Sequence, residues 1–169
     1  YEIGSGLVGS EMCIRDSCLT VPDKVHEASF VGPLGTVPGF ARVITNCRDY
    51  TKLMQMLANG GIHNGEHILG RKTIDLIRTN TLTPTMIKED FSNDYLAGYG
   101  YGYGMRTLMN RYEGQHNGML GQFGWTGGSG TWAECDPETG LSIVYMHNLQ
   151  PNLEQYHHLR MREVAYGCL

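Results

Sequence analysis

The sequence predicts an α+β fold, an antiparallel sheet flanked by helices. Three observations predict it. Apolar residues recur at helical spacing at Tyr50, Leu53, Met54 and Leu57. The period then changes to two, beginning at Tyr99 and continuing through several short strand-like runs. A last helical stretch follows Pro151 and Asn152. The order helix, helix, meander, helix belongs to an α+β domain rather than to alternating βαβ units. A chain of 169 residues suits one domain, or part of a larger one.

Residues 1–18 are expected to be a leader outside the domain, either disordered or not native. They show no helical or strand period, and LVGSEMCIRDS looks like translated sequencing-adapter sequence of the kind found in metagenomic assemblies. The domain proper is expected over residues 19–169. Its first part, Leu19 to Phe40, reads as loop because Pro22, Pro33 and Pro38 punctuate it. Asn46 and Asp49 stand at capping-box spacing, with Asp in place of the usual Glu, and open the first helix. Asn59, Gly60 and Gly61 stop it. His63-Asn64-Gly65-Glu66 is a turn. A second helix spans about Arg71 to Thr79, with Ile74 and Ile77 inward. Asn80 to Ala97 reads as polar and irregular.

The strands follow. Tyr99, Tyr101 and Tyr103 alternate with Gly100, Gly102 and Gly104, and Met105 to Met109 extend the run. This predicts one strand with a bare face, against which something packs close to the backbone. A nucleotide-binding glycine loop needs its glycines between strand and helix, and these lie inside the strand. Further strands run about Gly121–Trp125, Gly130–Cys135 and Leu141–His147. Asp136-Pro137-Glu138-Thr139-Gly140 is the hairpin turn between the last two. The final helix reaches about Tyr166.

Composition narrows the function classes. A hydrophobic share of 41% with 18% charged residues is that of a globular chain, able to bury a core. A net charge of −4 gives no electrostatic footprint for nucleic acid. No apolar run approaches the ~18 residues of a membrane span. Cys13, Cys18, Cys47, Cys135 and Cys168 are odd in number and scattered, so they read as free or buried thiols and leave the compartment open.

No activated nucleophile is recognisable. None of the seven serines has Lys three residues on, and none of the ten tyrosines has Asn two residues on. Gly127-Gly128-Ser129-Gly130-Thr131 misses the Gly-x-Ser-x-Gly elbow at its last residue. His63 and His67 have helical metal-ligand spacing, but Asn64-Gly65 between them opposes a helix, so no metal site is expected. The histidines read as solvated surface groups. The most unusual stretch is Phe123 to Thr131, where small residues would let a ligand lie against an exposed strand. Read alone, it is more readily a tight strand bend packed by Trp125.

Gly124-Trp125-Thr126-Gly127-Gly128-Ser129-Gly130-Thr131 resembles the third motif, Lys/His/Trp-Thr/Ser-Gly, of the serine β-lactamase and penicillin-binding-protein-like superfamily. The similarity is to the branch of class C β-lactamases, family VIII esterases and D-aminopeptidases. Thr45 to Gly61, His67 to Ile74, Gly98 to Gly102 and Asp136 to Asn148 resemble other family segments in the family's order. The resemblance covers about Phe40 to Asn152 and implies an incomplete β-lactamase-like α/β domain, the C-terminal portion of a serine hydrolase that works through an acyl-enzyme. The family's Ser-x-x-Lys and Tyr-x-Asn motifs lie upstream of the matched part and are absent here. The resemblance puts Trp125, Thr126 and Gly127 at the substrate and makes the Gly128 N–H an oxyanion-hole donor. It implies no cofactor, the upstream part of the same protein as partner, and a small ester or amide as substrate. Trp125 stands where lactamases usually carry Lys, and its apolar face favours neutral esters or amides over carboxylate-bearing β-lactams.

Overall fold

The computed structural model describes residues 45–91, 93–127, 130–147, 149 and 151–169. The expected leader, the loop before Phe40, Gly128, Ser129 and Asn148 lie outside the described residues. Four helices and seven strands are present among the described residues. The fold is the expected α+β arrangement.

Helix α1 is Cys47–Ala58. Asn46 caps it, accepting from the Asp49 N–H at 2.9 Å, and its amide donates to the Asp49 carboxylate at 2.9 Å. Asn59 ends the helix, and Gly60 and Gly61 continue at positive φ. Met54 and Leu57 are buried as the spacing predicts, joined by Met56 and Ala58, whereas Leu53 is exposed. The C-terminal half of the helix joins the core cluster with Ile74, Phe123, Ala133 and Cys135. Strands β1 (Ile62–His63) and β2 (Glu66–His67) form a minimal hairpin. Asn64 and Gly65 sit at its tip with positive φ, as a tight two-residue hairpin turn requires. His63 and His67 are therefore strand residues, not one face of a helix.

Helix α2 is Arg71–Ile77, with Ile74 buried. Helix α3, Pro84–Asp90, lies in the stretch read as irregular. None of its residues is buried, so no apolar period betrays it. Its start signals are local: the Thr83 hydroxyl accepts from the Met86 N–H at 3.3 Å, and Pro84 fills the first turn.

The main sheet holds β3 (Tyr99–Tyr101), β4 (Arg106–Leu108), β5 (Phe123–Thr126), β6 (Trp132–Asp136) and β7 (Leu141–Tyr145), antiparallel throughout and in sequence order. The Tyr–Gly run expected as one strand is two. It folds back through residues 102–105, pairing Tyr101 with Arg106, with Gly104 at φ 82° in the turn. The bare face is real. A Cβ on Gly102 would collide with the Ile77 carbonyl and come within 2.8 Å of the Thr79 carbonyl. The segment after α2 also bonds the outer edge of β3, through Thr81 N–H to Tyr101 O at 2.8 Å. Among the described residues, no strand pairs the outer edge of β7.

The two faces of this sheet differ chemically. On one, α1 and α2 close an apolar core on Phe123, Ala133 and Cys135. On the other lies helix α4, Glu154–Tyr166, over Trp132, Glu134 and Asp136, the alternate residues of β6. That side is polar and buried. Arg162 grips Glu134 with two bonds of 3.2 and 3.3 Å, and Arg106 and His116 stand 3.9 and 3.7 Å from the same carboxylate. Burial by itself would raise the Glu134 carboxyl. Arg162, helped by His116 and Arg106, overcomes this and holds it down to about 2. His116 and His158 are both buried in this layer, which corrects their reading as surface groups. Cys47, Cys135 and Cys168 are free thiols.

Candidate functional site

The resemblance directs attention to the end of β5. Trp125 pairs with Ala133, and Thr126 pairs with Trp132. Successive strand residues face opposite ways, so Trp125 and Thr126 serve opposite faces. Trp125 is 40% exposed, unusual for a residue that large in a central strand. Its ring meets Tyr101 edge-on at 5.0 Å, and Tyr101 meets Phe91 edge-on at 5.8 Å. The three rings form an aromatic shelf beside the strand end. Gly124 lets β5 and β6 approach closely, since a Cβ there would collide with the Ala133 carbonyl.

Beyond Thr126 the chain turns. The Gly127 N–H donates to Thr131 O at 2.8 Å, and the Gly130 N–H donates to Gly127 O at 3.0 Å. Gly130 has φ 93°, and a Cβ there would sit 3.0 Å from His147 Nδ1 and 3.1 Å from Asn152 O. The positive φ favours glycine there, and a Cβ would be tight against both neighbours. Gly128, the expected oxyanion donor, lies outside the described residues. Trp125, Thr126 and Gly127 are adjacent at the strand end, with Thr126 on the face that α4 covers. Burial raises the Glu154 carboxyl, opposed by the Arg106 charge and the Thr126 hydroxyl.

Gly130 is held from α4. His158 Nε2 lies 2.7 Å from the Gly130 carbonyl oxygen, and Nδ1 lies 2.6 Å from the Tyr95 hydroxyl. Arg106 Nη2 donates to that hydroxyl at 3.1 Å. Trp132 stacks on the imidazole at 5.4 Å and 20°. Burial holds His158 down to about 4, so it is neutral near pH 7. A second imidazole, His147, lies against His157 with ring centres 4.7 Å apart. Burial, then the neighbouring His157, lowers its proton affinity.

Glu154, His158, Tyr95 and Arg106 escaped the sequence reading. One signal existed: Glu154 and His158 are four residues apart, hence neighbours on one helix face. Tyr95 and Arg106 carried none, because they reach the turn only through the fold. A separate polar cavity of about 330 Å³, lined by Asn59, Arg71, Asp75, Arg78 and Glu138 among others, opens at the opposite end of β6. Among the described residues, no three His, Cys, Asp or Glu side chains gather to hold a metal ion, and no helix is long and apolar enough to cross a membrane.

Comparison with known proteins adds the relationship. The chain is 28% identical over 139 residues to Protein Rv1367c of Mycobacterium tuberculosis H37Rv, covering 78% of this chain and 35% of that protein. It superimposes on a penicillin-binding protein homolog from Caulobacter crescentus with a TM-score of 0.61 at 26% identity, over 85% of this chain and 40% of the other. EstCE1, described as a hydrolase with promiscuous acyltransferase activity, shares the fold with a TM-score of 0.63 at 21% identity, over 84% of this chain and 35% of its own. The chain therefore spans between 35% and 40% of the length of these relatives. The Beta-lactamase family model matches residues 10–166, nearly the whole chain. Together with the ordered sheet and the Trp125-Thr126-Gly127 strand end, this match means that the chain belongs to the beta-lactamase family of hydrolases.

Proposed function

We propose that this chain is the C-terminal portion of a serine hydrolase of esterase or amidase type that works through an acyl-enzyme. The observation that carries the reading is the end of β5. A half-exposed Trp125 heads a Trp-Thr-Gly segment in a chain of this family, at a turn closed by backbone hydrogen bonds. In this reading Trp125 is the apolar wall of the cleft, and Thr126 and Gly127 line its edge. The Gly128 N–H supplies one donor to the developing oxyanion, a contribution of about 3 kcal/mol for a preorganised donor. The attacking serine and its lysine come from the portion of the protein preceding this chain. The substrate is a small neutral ester or amide, since Trp125 offers no charge to a carboxylate.

The test compares two proteins. The 169-residue chain alone is expected neither to hydrolyse p-nitrophenyl butyrate above a denatured control nor to label with a fluorophosphonate probe. The chain joined to its preceding portion is expected to do both, at one serine. Stoichiometric acylation of the chain alone, seen by mass spectrometry, would refute the proposal. A second reading, a non-catalytic relative that binds ligands or partners, is favoured by the absence of Ser-x-x-Lys and Tyr-x-Asn from the sequence. It predicts no labelling in either protein.

A further inference from the structure

We infer that Trp125, Tyr101 and Phe91 form a specificity shelf that takes a planar aromatic group of the substrate. The inference deepens the function proposed above and rests on it. Trp125 heads the Trp-Thr-Gly strand end and is 40% exposed. Its ring meets Tyr101 at 5.0 Å and 76°, and Tyr101 meets Phe91 at 5.8 Å and 66°. The three rings come from three separate elements. Trp125 lies on β5, Tyr101 closes the edge strand β3, and Phe91 follows the last residue of α3. The Trp-Thr-Gly segment by itself contains only the first of them.

Each ring is placed by its own backbone. The Tyr101 N–H donates to Asn80 Oδ1 at 3.0 Å. The Tyr101 carbonyl accepts from the Thr81 N–H at 2.8 Å and from the Thr81 hydroxyl at 3.0 Å. Asn80 is itself fixed by two bonds to Leu82, of 3.0 and 3.1 Å. The Phe91 N–H donates to Ile87 O at 3.2 Å and closes α3. Helix α3 buries none of its residues, so it adds little to the core, and what it does is carry Phe91 to Tyr101. Trp125 is held in register against Ala133. Rings fixed in this way lose little freedom when a ligand arrives. Trp125 stays exposed despite the Tyr101 contact, so its ring is open to a further one. An aromatic ring has a negative face and a positive edge, and a saturated ring of the same size has neither. A preset row of aromatic rings therefore favours the aryl group by about twofold to tenfold beyond the area it buries.

The experiment uses the protein with its preceding portion and two readouts. The first is kcat/KM on esters matched in size. Ethyl phenylacetate against ethyl cyclohexylacetate places the ring in the acyl group, and benzyl acetate against cyclohexylmethyl acetate places it in the alcohol. In one of the two pairs the aryl ester is expected to be preferred by at least about fivefold. Tyr101→Leu and Phe91→Leu keep apolar bulk and remove a ring, and each is expected to cut that preference at least about twofold. Tyr101→Phe keeps the ring and is expected to keep the preference. Tyr103→Leu, at a 62% exposed position in the turn after β3, is the control and is expected to leave it unchanged. The second readout is binding of benzyl methyl ether and cyclohexylmethyl methyl ether, which have no acyl bond to cleave. It is read as the fluorescence change of the parent minus that of Trp125→Phe, because Trp132, the other tryptophan of the chain, is buried against His158. The aryl ether is expected to bind at least about threefold more tightly, and Tyr101→Leu is expected to reduce the difference. Binding needs no nucleophile. If the parent hydrolyses no ester, the proposed function fails, and the shelf still stands or falls on the ethers. Equal binding of the two ethers overturns it, and so does an aryl preference that survives both Tyr101→Leu and Phe91→Leu. A preference among the ethers with none in either ester pair of an active parent overturns the role in specificity.

Discussion

Replacing Arg162 by Met tests the polar layer under α4. The substitution preserves most of the stem and deletes the guanidinium that holds Glu134 with bonds of 3.2 and 3.3 Å. Both side chains are buried, so the carboxylate that remains has no water to turn to. Removing one partner of a buried pair typically costs 3–5 kcal/mol, roughly, because an uncompensated charge stays behind. Here the charge is not wholly abandoned. Arg106 remains 3.9 Å away and His116 3.7 Å away. The cost is therefore expected at the lower end, about 3 kcal/mol. With a urea slope of about 2 kcal/mol/M, the midpoint should drop by about 1.5 M. Without Arg162 the Glu134 carboxyl should also rise well above its present value of about 2. Lowering the pH from about 7 to about 4 should then protonate it and shrink the difference from the parent measured at the same pH. Glu134→Gln in the Arg162→Met background should recover part of the loss, a coupling of about 2 kcal/mol by double-mutant cycle. A loss under about 1 kcal/mol at neutral pH, or one that does not change with pH, would refute the reasoning.

The remaining perturbations are independent of that pair. His158 is held at about 4, below the usual imidazole value of 6.5. The unfolded chain therefore binds the proton more readily, and His158 contributes stability that is complete above about pH 6.5 and lost as pH falls towards about 4, on the order of 3 kcal/mol. Urea melts across this range should show the loss, and Tyr95→Phe should change its size. Gly102→Ala should destabilise by several kcal/mol, roughly 2–4, because its Cβ would meet the Ile77 carbonyl, and a melting temperature within about 2 °C of the parent would contradict this. In the full protein, Trp125→Lys should shift the ratio of carboxylate-bearing β-lactam to neutral ester turnover by at least about tenfold towards the lactam. Gly128→Pro deletes the proposed donor and should abolish turnover, and an intact kcat would return Trp125 to a packing role.

Legibility in the sequence followed the range of the forces involved. Helix α1 was readable because its cap, its stripe and its stop are written within sixteen residues, from Asn46 to Gly61. The hairpin at Asp136–Gly140 was readable for the same reason. Helix α3 was not, since an exposed helix needs no apolar period and its Thr-Pro start is a weak signal. The Tyr–Gly run carried its alternation across a turn. Gly104 serves that turn, while Gly100 and Gly102 serve close packing, and sequence does not separate the two uses of glycine. At the strand end, Trp125, Thr126 and Gly127 could be named from the motif. That Thr126 faces α4 could not, because α4 begins twenty-eight residues later, at Glu154. The burial of His116 and His158 was equally hidden. A histidine looks the same in sequence whether it faces water or Gly130, and only long-range packing decides.

The chemical contrast between the two faces of the sheet gives them opposite thermal behaviour. Exposing the apolar layer under α1 and α2 raises the heat capacity of the unfolded chain, whereas exposing the polar layer under α4 lowers it. Cooling weakens the first layer, where hydrophobic burial dominates. Acid weakens the second, where neutral histidines and an ionised Glu134 must bind protons. Cold and acid thus attack the same five strands from opposite sides. Chilling should loosen α1 first and acidification α4 first, so a protein stored cold at low pH loses both supports of its sheet at once.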